Sequence, residues 1–390
     1  GGRRRGDPRR PRARRPALVS HPDRLPWEEA RSCAAAAAVP LGTEEVAFYA
    51  AVGRVLARDV VAAIDVPHYA SAAMDGWAVR GAGGWRLVAA GPLAEGEAVP
   101  IVTGGLLPEG AERVLRSEFG AVAGDALEAT GAESRDHIRP PAEEARAGEV
   151  LVAAGTVLSP AHVALAAAAT ADSLEVAVRP RVATVFTGDE VMLSGVPGPG
   201  RVRDSFGATI PAILRMLGAA PEGSVRIGDD RAATVAALRG ADADLVVTTG
   251  GTGGSSADHV RRALEDLGAE YLVPGLASRP GGPTFLARLP DGRLVLGLAG
   301  NPLAAMLGLL SLGDVLVAGY TGRSVPPLLS VPVPDSVKRH PASTRLVPVR
   351  ADLREVAWTG SAMMRGLAAA TGVLVVPPAG DGQLLELPWV

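Results

Sequence analysis

The sequence predicts an α/β multidomain protein, and three observations carry that reading. Between Arg181 and about Gly319 short apolar runs alternate with amphipathic helical stretches, the pattern of a parallel sheet covered on both faces. Before and after it, brief apolar runs cut by turn residues read as smaller β-rich modules. Gly 48 and Pro 32 are about a fifth of the 390 residues, which demands many turns yet stays below low-complexity disorder. With 47% hydrophobic residues the chain can fill several cores, so two to four domains are expected.

Charge and cysteine content exclude several function classes. Residues 1–16 hold eight Arg and one Asp, so the rest of the chain is more acidic than the net charge of −3 implies. An acidic body lacks the clustered cations of a nucleic-acid surface, so no nucleic acid is expected as partner. Lys338 is the only lysine. Cys33 is the sole cysteine, which rules out an intrachain disulfide or a cysteine-based metal site and fits a cytoplasmic setting. The Arg-rich start is followed by too short and polar a run, 17–22, for a secretory signal. The apolar stretch 161–171 is Ala-rich, contains His162 and is too short for a span, so no membrane is expected.

In chain order, residues 1–24 combine Arg, Pro and Gly without periodicity and read as a disordered tail. A helix is expected from Trp27 through Ala38, stopped at Pro40, and a second from Val46 to Ala57. From Val61 to about Arg146 runs such as 85–89 before Gly91-Pro92 and 99–102 before Gly104-Gly105 predict a small β module. The helical stretch 160–171 is expected to pack back on the first helices. Strands then follow at 182–186, 224–227, 244–248 and 293–298, with helices at 208–217, 231–239, 257–267 and 302–312. The last seventy residues, with Pro326-Pro327, Pro332 and Pro334, read as a further small β domain.

Ligands of doubly wound sheets bind outside the carboxyl ends of the strands, so the residues just after each strand are the candidates. The first corner is Thr187-Gly188-Asp189-Glu190, two adjacent acids at a turn. The second runs from Thr248 to Asp258 through Gly250, Gly251, Thr252, Gly253 and Ser255. Its glycines let backbone N–H groups approach a ligand, and the following helix N-terminus, with Ser255 or Ser256 able to cap it, favours an anion. No Gly-Lys-Ser/Thr follows, so it is not a Walker A loop. The third is Gly300-Asn301-Pro302, with Asn301 suited to cap and Pro302 to open a helix. With Asp204-Ser205 at another helix start, these corners fit a phosphate site beside metal-binding carboxylates. The β module adds an Asp75-Gly76 turn and a Gly/Pro-interrupted loop from Thr103.

Together these segments resemble the MoeA family of molybdopterin molybdenumtransferases, found also as the C-terminal part of gephyrin. The family's Ser-Ala-Met-Asp-Gly-Tyr-Ala-Val looks like 71–79 with one extra Ala, and its Thr-Gly-x-x-Leu-Pro-x-Gly-Ala looks like 103–111. Ser-Thr-Gly-Asp-Glu is similar to 186–190, and Asp-Ser-Asn to 204–206 with Phe206 for Asn. Gly-Gly-x-x-x-Gly-x-x-Asp, Pro-Gly-Lys-Pro and Leu-Pro-Gly-Asn-Pro resemble 250–258, 280–283 and 298–302, and a late Gly-Ser-x-x resembles 360–363. Three departures stand out: Gly282 replaces the family lysine, Gly253-Gly254-Ser255 replaces Ser-Val-Gly, and Ala142-Glu143-Glu144 replaces Gly-Glu-Asp.

The resemblance implies a split helical domain at 25–62 and 147–179, a β-rich domain at 63–146, a doubly wound α/β molybdopterin-binding domain at 180–322 and a β-barrel domain at 323–390. It implies a homodimer that inserts molybdate into adenylylated molybdopterin and releases AMP, with Mg2+ as metal. Asp189, Glu190 and Asp258 would be catalytic and hold the metal, joined by Asp75 and Thr103 from the facing subunit. Pterin and phosphate would meet Gly250, Gly251, Thr252, Gly253, Ser255, Asp204, Ser205, Gly300, Asn301, Pro302 and Ser361, while Arg139 and Arg279 supply positive charge. Handover partners would be the molybdopterin adenylyltransferase and molybdoenzymes. The departures leave two other readings open: a paralogue that binds molybdopterin or partner proteins without turnover, and a dimeric scaffold.

Overall fold

A computed structural model describes residues 24–132, 134–252 and 258–390. The expected tail therefore lies, up to residue 23, outside the described residues, as do Gly253 and Ser255. The chain divides into two compact units, one of residues 1–41 and 178–390, the other of 42–177.

In the first unit a six-stranded sheet is built from β1 (Arg181–Phe186), β2 (Ala220–Arg226), β3 (Leu245–Thr249), β4 (Glu270–Val273), β5 (Phe285–Arg288) and β6 (Leu294–Leu298). Its order is β2-β1-β3-β6-β5-β4, with β2, β1, β3 and β6 parallel and β5 running antiparallel to both its neighbours. The sequence pattern predicts only the parallel part. β4 and β5 escape it because a hairpin at the sheet edge interrupts the strand–helix alternation.

Alternate residues of the central strands fill opposite layers. Val182, Leu245, Val247, Leu294 and Leu296 face one core with α1 (Trp27–Ala37), α2 (Thr209–Met216) and α5 (Pro302–Thr321). Val185, Val246 and Val295 face the other with α3 (Arg231–Gly240) and α4 (His259–Asp266). The helix expected at 302–312 continues for 20 residues, to a Gly322 cap at φ +64°. It carries no amphipathic stripe because it is buried on nearly all sides. By length and composition α5 could cross a membrane, but 89% of its apolar window lies inside the fold. Each fully buried leucine there contributes about 1.5–3 kcal/mol.

Helix α1 packs on α5, with Trp27 Nε1 donating to Ser311 Oγ at 2.9 Å. Of the two segments on which residues 160–171 are expected to pack, the structure joins them to 46–57: helix Pro160–Ala168 lies in the second unit, in a core with Ala51, Leu56, Val152 and Val176. The C-terminal strands form a five-stranded sheet whose two ends are Ser278–Arg279 and Leu329–Val331. Among the described residues these ends do not pair, so the sheet is open where a barrel is expected.

The second unit holds no helix over 46–57. Thr43–Ala47 is instead a strand paired with Ser173–Ala177, which turns Val46 toward Leu174 and ends in a short 3-10 turn at Phe48–Ala50. Strand pairing overrides a helical pattern here because only the tertiary partner buries those residues. Val60–Val61 pairs with Val150–Val152, and a six-stranded sheet spans 76–129 around Val79, Trp85, Leu115 and Leu127.

Candidate functional site

β1, β3 and β6 end in register, with Phe186 beside Thr249 and Thr249 beside Leu298. Their following loops therefore emerge side by side at one sheet edge. Thr187 Oγ1 donates to the Thr249 carbonyl at 2.7 Å, and the Gly250 N–H donates to the Leu298 carbonyl at 3.1 Å. Gly250 has φ +78° and Gly251 φ +57°. A Cβ on Gly250 would lie 2.5 Å from Thr187 Oγ1, and one on Gly251 2.8 Å from Val260, so both positions require glycine.

These loops bound a cavity of about 670 Å³ whose lining belongs wholly to the first unit. Two helix N-termini open onto it, those of α4 through Asp258 and α5 through Asn301 and Pro302. The Asp258 and Asn301 side chains at these N-termini make no capping hydrogen bond; at α5 the Ser361 carbonyl accepts the Ala304 N–H at 3.1 Å. Asn301 holds the expected N-cap position and Pro302 opens α5, but the Asn301 side chain does not cap the helix: its Nδ2 donates to Ser361 Oγ at 3.4 Å. Glu190, Asp204, Asp229 and Asp258 bring carboxylates to the same wall. Thr249 also belongs to the lining, and its hydroxyl is buried without a hydrogen-bond partner among the described residues. A buried hydroxyl left so is a group that a ligand or water must satisfy.

The structure thus gathers Glu190, Asp204, Ser205, Gly250, Gly251, Thr252, Asp258, Gly300, Asn301 and Pro302 at one cavity, with Ser361 bound to its rim. Asp189 is not part of the lining. Its Oδ1 accepts from the Asp229 N–H at 3.3 Å, and its own N–H donates to Asp229 Oδ2 at 3.5 Å. Among the described residues no three His, Cys, Asp or Glu side chains form a metal cage, so the triple Asp189, Glu190 and Asp258 is not assembled.

Asp204 lies at the wall but serves the fold. It accepts from the Phe206 and Gly207 N–H groups at 3.0 and 3.2 Å and pairs with Arg226 at 2.7 Å. Burial pushes its carboxyl up, but the two N–H groups and Arg226 outweigh it and hold it below the usual carboxylate range. Arg279 stands outside the lining, on the strand that pairs with Thr344–Val349. The sequence analysis does not single out Asp229, although it follows β2 as the other corners follow their strands, and it has Phe206 and Pro283 only as motif positions, not as site residues.

The second unit pairs its own two candidates. Asp75 Oδ1 accepts from the Thr103 N–H at 2.6 Å and from Thr103 Oγ1 at 2.7 Å, and these bonds lower its pKa. Gly76 is demanded by packing as much as by a turn, since its Cβ would meet the Leu115 carbonyl oxygen at 1.9 Å. Arg139 is ion-paired with Glu143 at 2.9 Å.

Comparison with known proteins agrees with this geometry. Residues 25–170 match the MoeA N-terminal region (domain I and II), and residues 183–317 match a probable molybdopterin binding domain. The molybdopterin molybdenumtransferase of Nostoc sp. is 32% identical over 68% of this chain and 66% of its own length. That of Bacillus subtilis is 32% identical over 68% of each chain, so the match spans about two thirds of these relatives. A molybdopterin biosynthesis MoeA protein structure from Pyrococcus horikoshii OT3 superposes with TM-score 0.70 at 22% identity, covering 93% of this chain and 97% of that one. Two family regions in order, curated relatives of this similarity and the common fold agree: the chain belongs to the MoeA family of molybdopterin molybdenumtransferases.

Proposed function

We propose that the protein inserts molybdate into adenylylated molybdopterin, releasing AMP. The observation that carries this reading is the cavity at the ends of β1, β3 and β6, where two helix N-termini, the glycine loop and the unpartnered Thr249 hydroxyl meet. Helix dipoles and backbone N–H groups favour phosphate there, and Thr249 Oγ1 can donate to an oxygen of the bound anion. Gly250 and Gly251, both at positive φ, let the backbone approach the substrate without a side chain of their own intervening.

Mg2+ usually takes one or two carboxylates and completes its shell with water and substrate phosphates. Glu190 and Asp258 fit that smaller demand better than a cage built from protein alone. When bound, the ion would polarise the phosphoanhydride and offset the charge that develops on it. Asp75 and Thr103 enter the reading as a preformed acceptor contributed by the second unit of a homodimeric partner.

The test is direct. Purified protein incubated with adenylylated molybdopterin, Mg2+ and molybdate should release AMP in proportion to molybdenum incorporated. Tight pterin binding without AMP release would favour the non-catalytic paralogue, a reading that Gly282 in place of a lysine keeps open. Absence of any pterin binding would leave the scaffold.

A further inference from the structure

The cavity divides along the order of the sheet. Strands β1 and β6 flank β3, so the loops that follow them emerge two strand spacings, about 10 Å, apart. On the β3 and β6 side stand the glycine loop and the start of α5, where an anion is favoured. On the β1 side the backbone donors are already committed. The Val202 N–H donates to the Glu190 carbonyl and the Asp204 N–H to the Met192 carbonyl, both at 3.0 Å. The Phe206 and Gly207 N–H groups go to Asp204, whose charge Arg226 offsets. Arg203, a cation of this stretch, gives its Nη1 to the Gly195 carbonyl at 2.7 Å.

What the β1 side presents to a ligand is apolar surface. Val191–Met192 pairs in parallel with Val202–Arg203, and Val191 is the register partner of Val202. Cross-strand partners stand on the same face, so the two valines act together. Both line the cavity, as does Phe206, the one aromatic residue in the lining among the described residues. Phe206 is 9% exposed, but Val202 is 49% exposed. A half-exposed valine on a cavity wall is apolar surface that the fold leaves uncovered and that a ligand can cover.

We propose that Val202, with Val191 and Phe206, is the specificity-determining surface of the cavity: it takes the flat face of a bicyclic nitrogen heterocycle whose phosphate lies on the glycine-loop side. The inference rests on the transferase reading above and deepens it. Two rings of adenylylated molybdopterin share this chemistry, the adenine and the pterin.

Calorimetric titration of the full chain with AMP, ribose 5-phosphate and 6-hydroxymethylpterin distinguishes them. Ribose 5-phosphate carries the phosphate of AMP without its ring, so it gauges the anion site alone. Val202→Ser should weaken AMP or the pterin about tenfold, the effect of trimming a hydrophobic contact, and leave ribose 5-phosphate unchanged. Loss confined to AMP identifies the adenine, loss confined to the pterin identifies the pterin, and loss of both shows that the wall takes either ring. Val202→Ile keeps the wall apolar and should retain the parent affinities. Melting temperatures should stay together across the set, because Val202 is half exposed. Should the serine variant melt early, Val202→Thr keeps the shape of the side chain and should show the same selective loss. Parent affinity of the variant for both ring ligands, equal loss for AMP and ribose 5-phosphate, or a parent protein that binds neither ring would each overturn the proposal. A parent whose ring affinity depends on Val202 yet releases no AMP from adenylylated molybdopterin would overturn the transferase reading and leave this one standing.

Discussion

The cavity of the first unit and the Asp75–Thr103 pair of the second handle polar groups in opposite ways. In the cavity, Thr249 keeps a buried hydroxyl without a partner among the described residues, and Asp258 and Asn301, at two helix starts, make no capping hydrogen bond with their side chains. In the second unit, Thr103 gives both its N–H and its hydroxyl to one oxygen of Asp75. The first region is incomplete until something binds; the second is complete and holds a fixed charge. Stored hydrogen-bonding capacity marks a binding surface, whereas a satisfied carboxylate of lowered pKa marks an acceptor that stays ionised at neutral pH.

Substitution of the cavity acids should expose this contrast most strongly. Asp258→Asn, at a position 9% exposed on the cavity wall, should cut AMP release about a hundredfold. An unchanged rate would show the cavity carboxylate to be idle. Next comes Asp75→Asn, which should leave the melting temperature unaltered and lower AMP release about tenfold through a weakened, uncharged acceptor. Loss of stability instead would reduce the pair to a structural tie.

Asp204→Asn tests a wall carboxylate that is held by the fold, and it should cost about 1–3 kcal/mol of stability by calorimetry. Because the folded carboxyl has a lowered pKa, its contribution is present above the unfolded value of about 3.9 and disappears as pH falls through the folded value. The gap in melting temperature between parent and variant should therefore narrow below about pH 4. A gap that widens in acid would contradict the Arg226 pairing. The smallest effect is expected for Asp189→Asn, whose carboxylate turns to Asp229: AMP release should stay within about twofold of the parent, well under one unit of RT ln 10. A large loss there would return Asp189 to the reacting centre.

Much of the fold is legible in the chain because its signals are local. β1 and β3 read as continuous apolar runs, and Gly300-Asn301-Pro302 announces a helix start. The corners were found for the same reason: parallel strands put their carboxyl ends on one edge. Other features left no local trace. The stretch 46–57 has a helix-like pattern until Ser173–Ala177 pairs with its beginning. Asp189 and Glu190 look equivalent as neighbours, yet one faces Asp229 and the other the cavity.

The sequence by itself determined the alternation of buried strands and helices, the glycine loop between β3 and α4, and the family to which these motifs belong. Periodicity and turn chemistry act over a few residues and can be read there. Tertiary structure alone decided that Asp204 is consumed by Arg226 and that Val202 stands beside Val191 on the cavity wall. Both depend on separate stretches of backbone being brought together, the second by the pairing of Val191–Met192 with Val202–Arg203. A carboxylate or a valine is visible in a sequence, but whether it turns to a ligand or to the fold is visible only once the chain has folded.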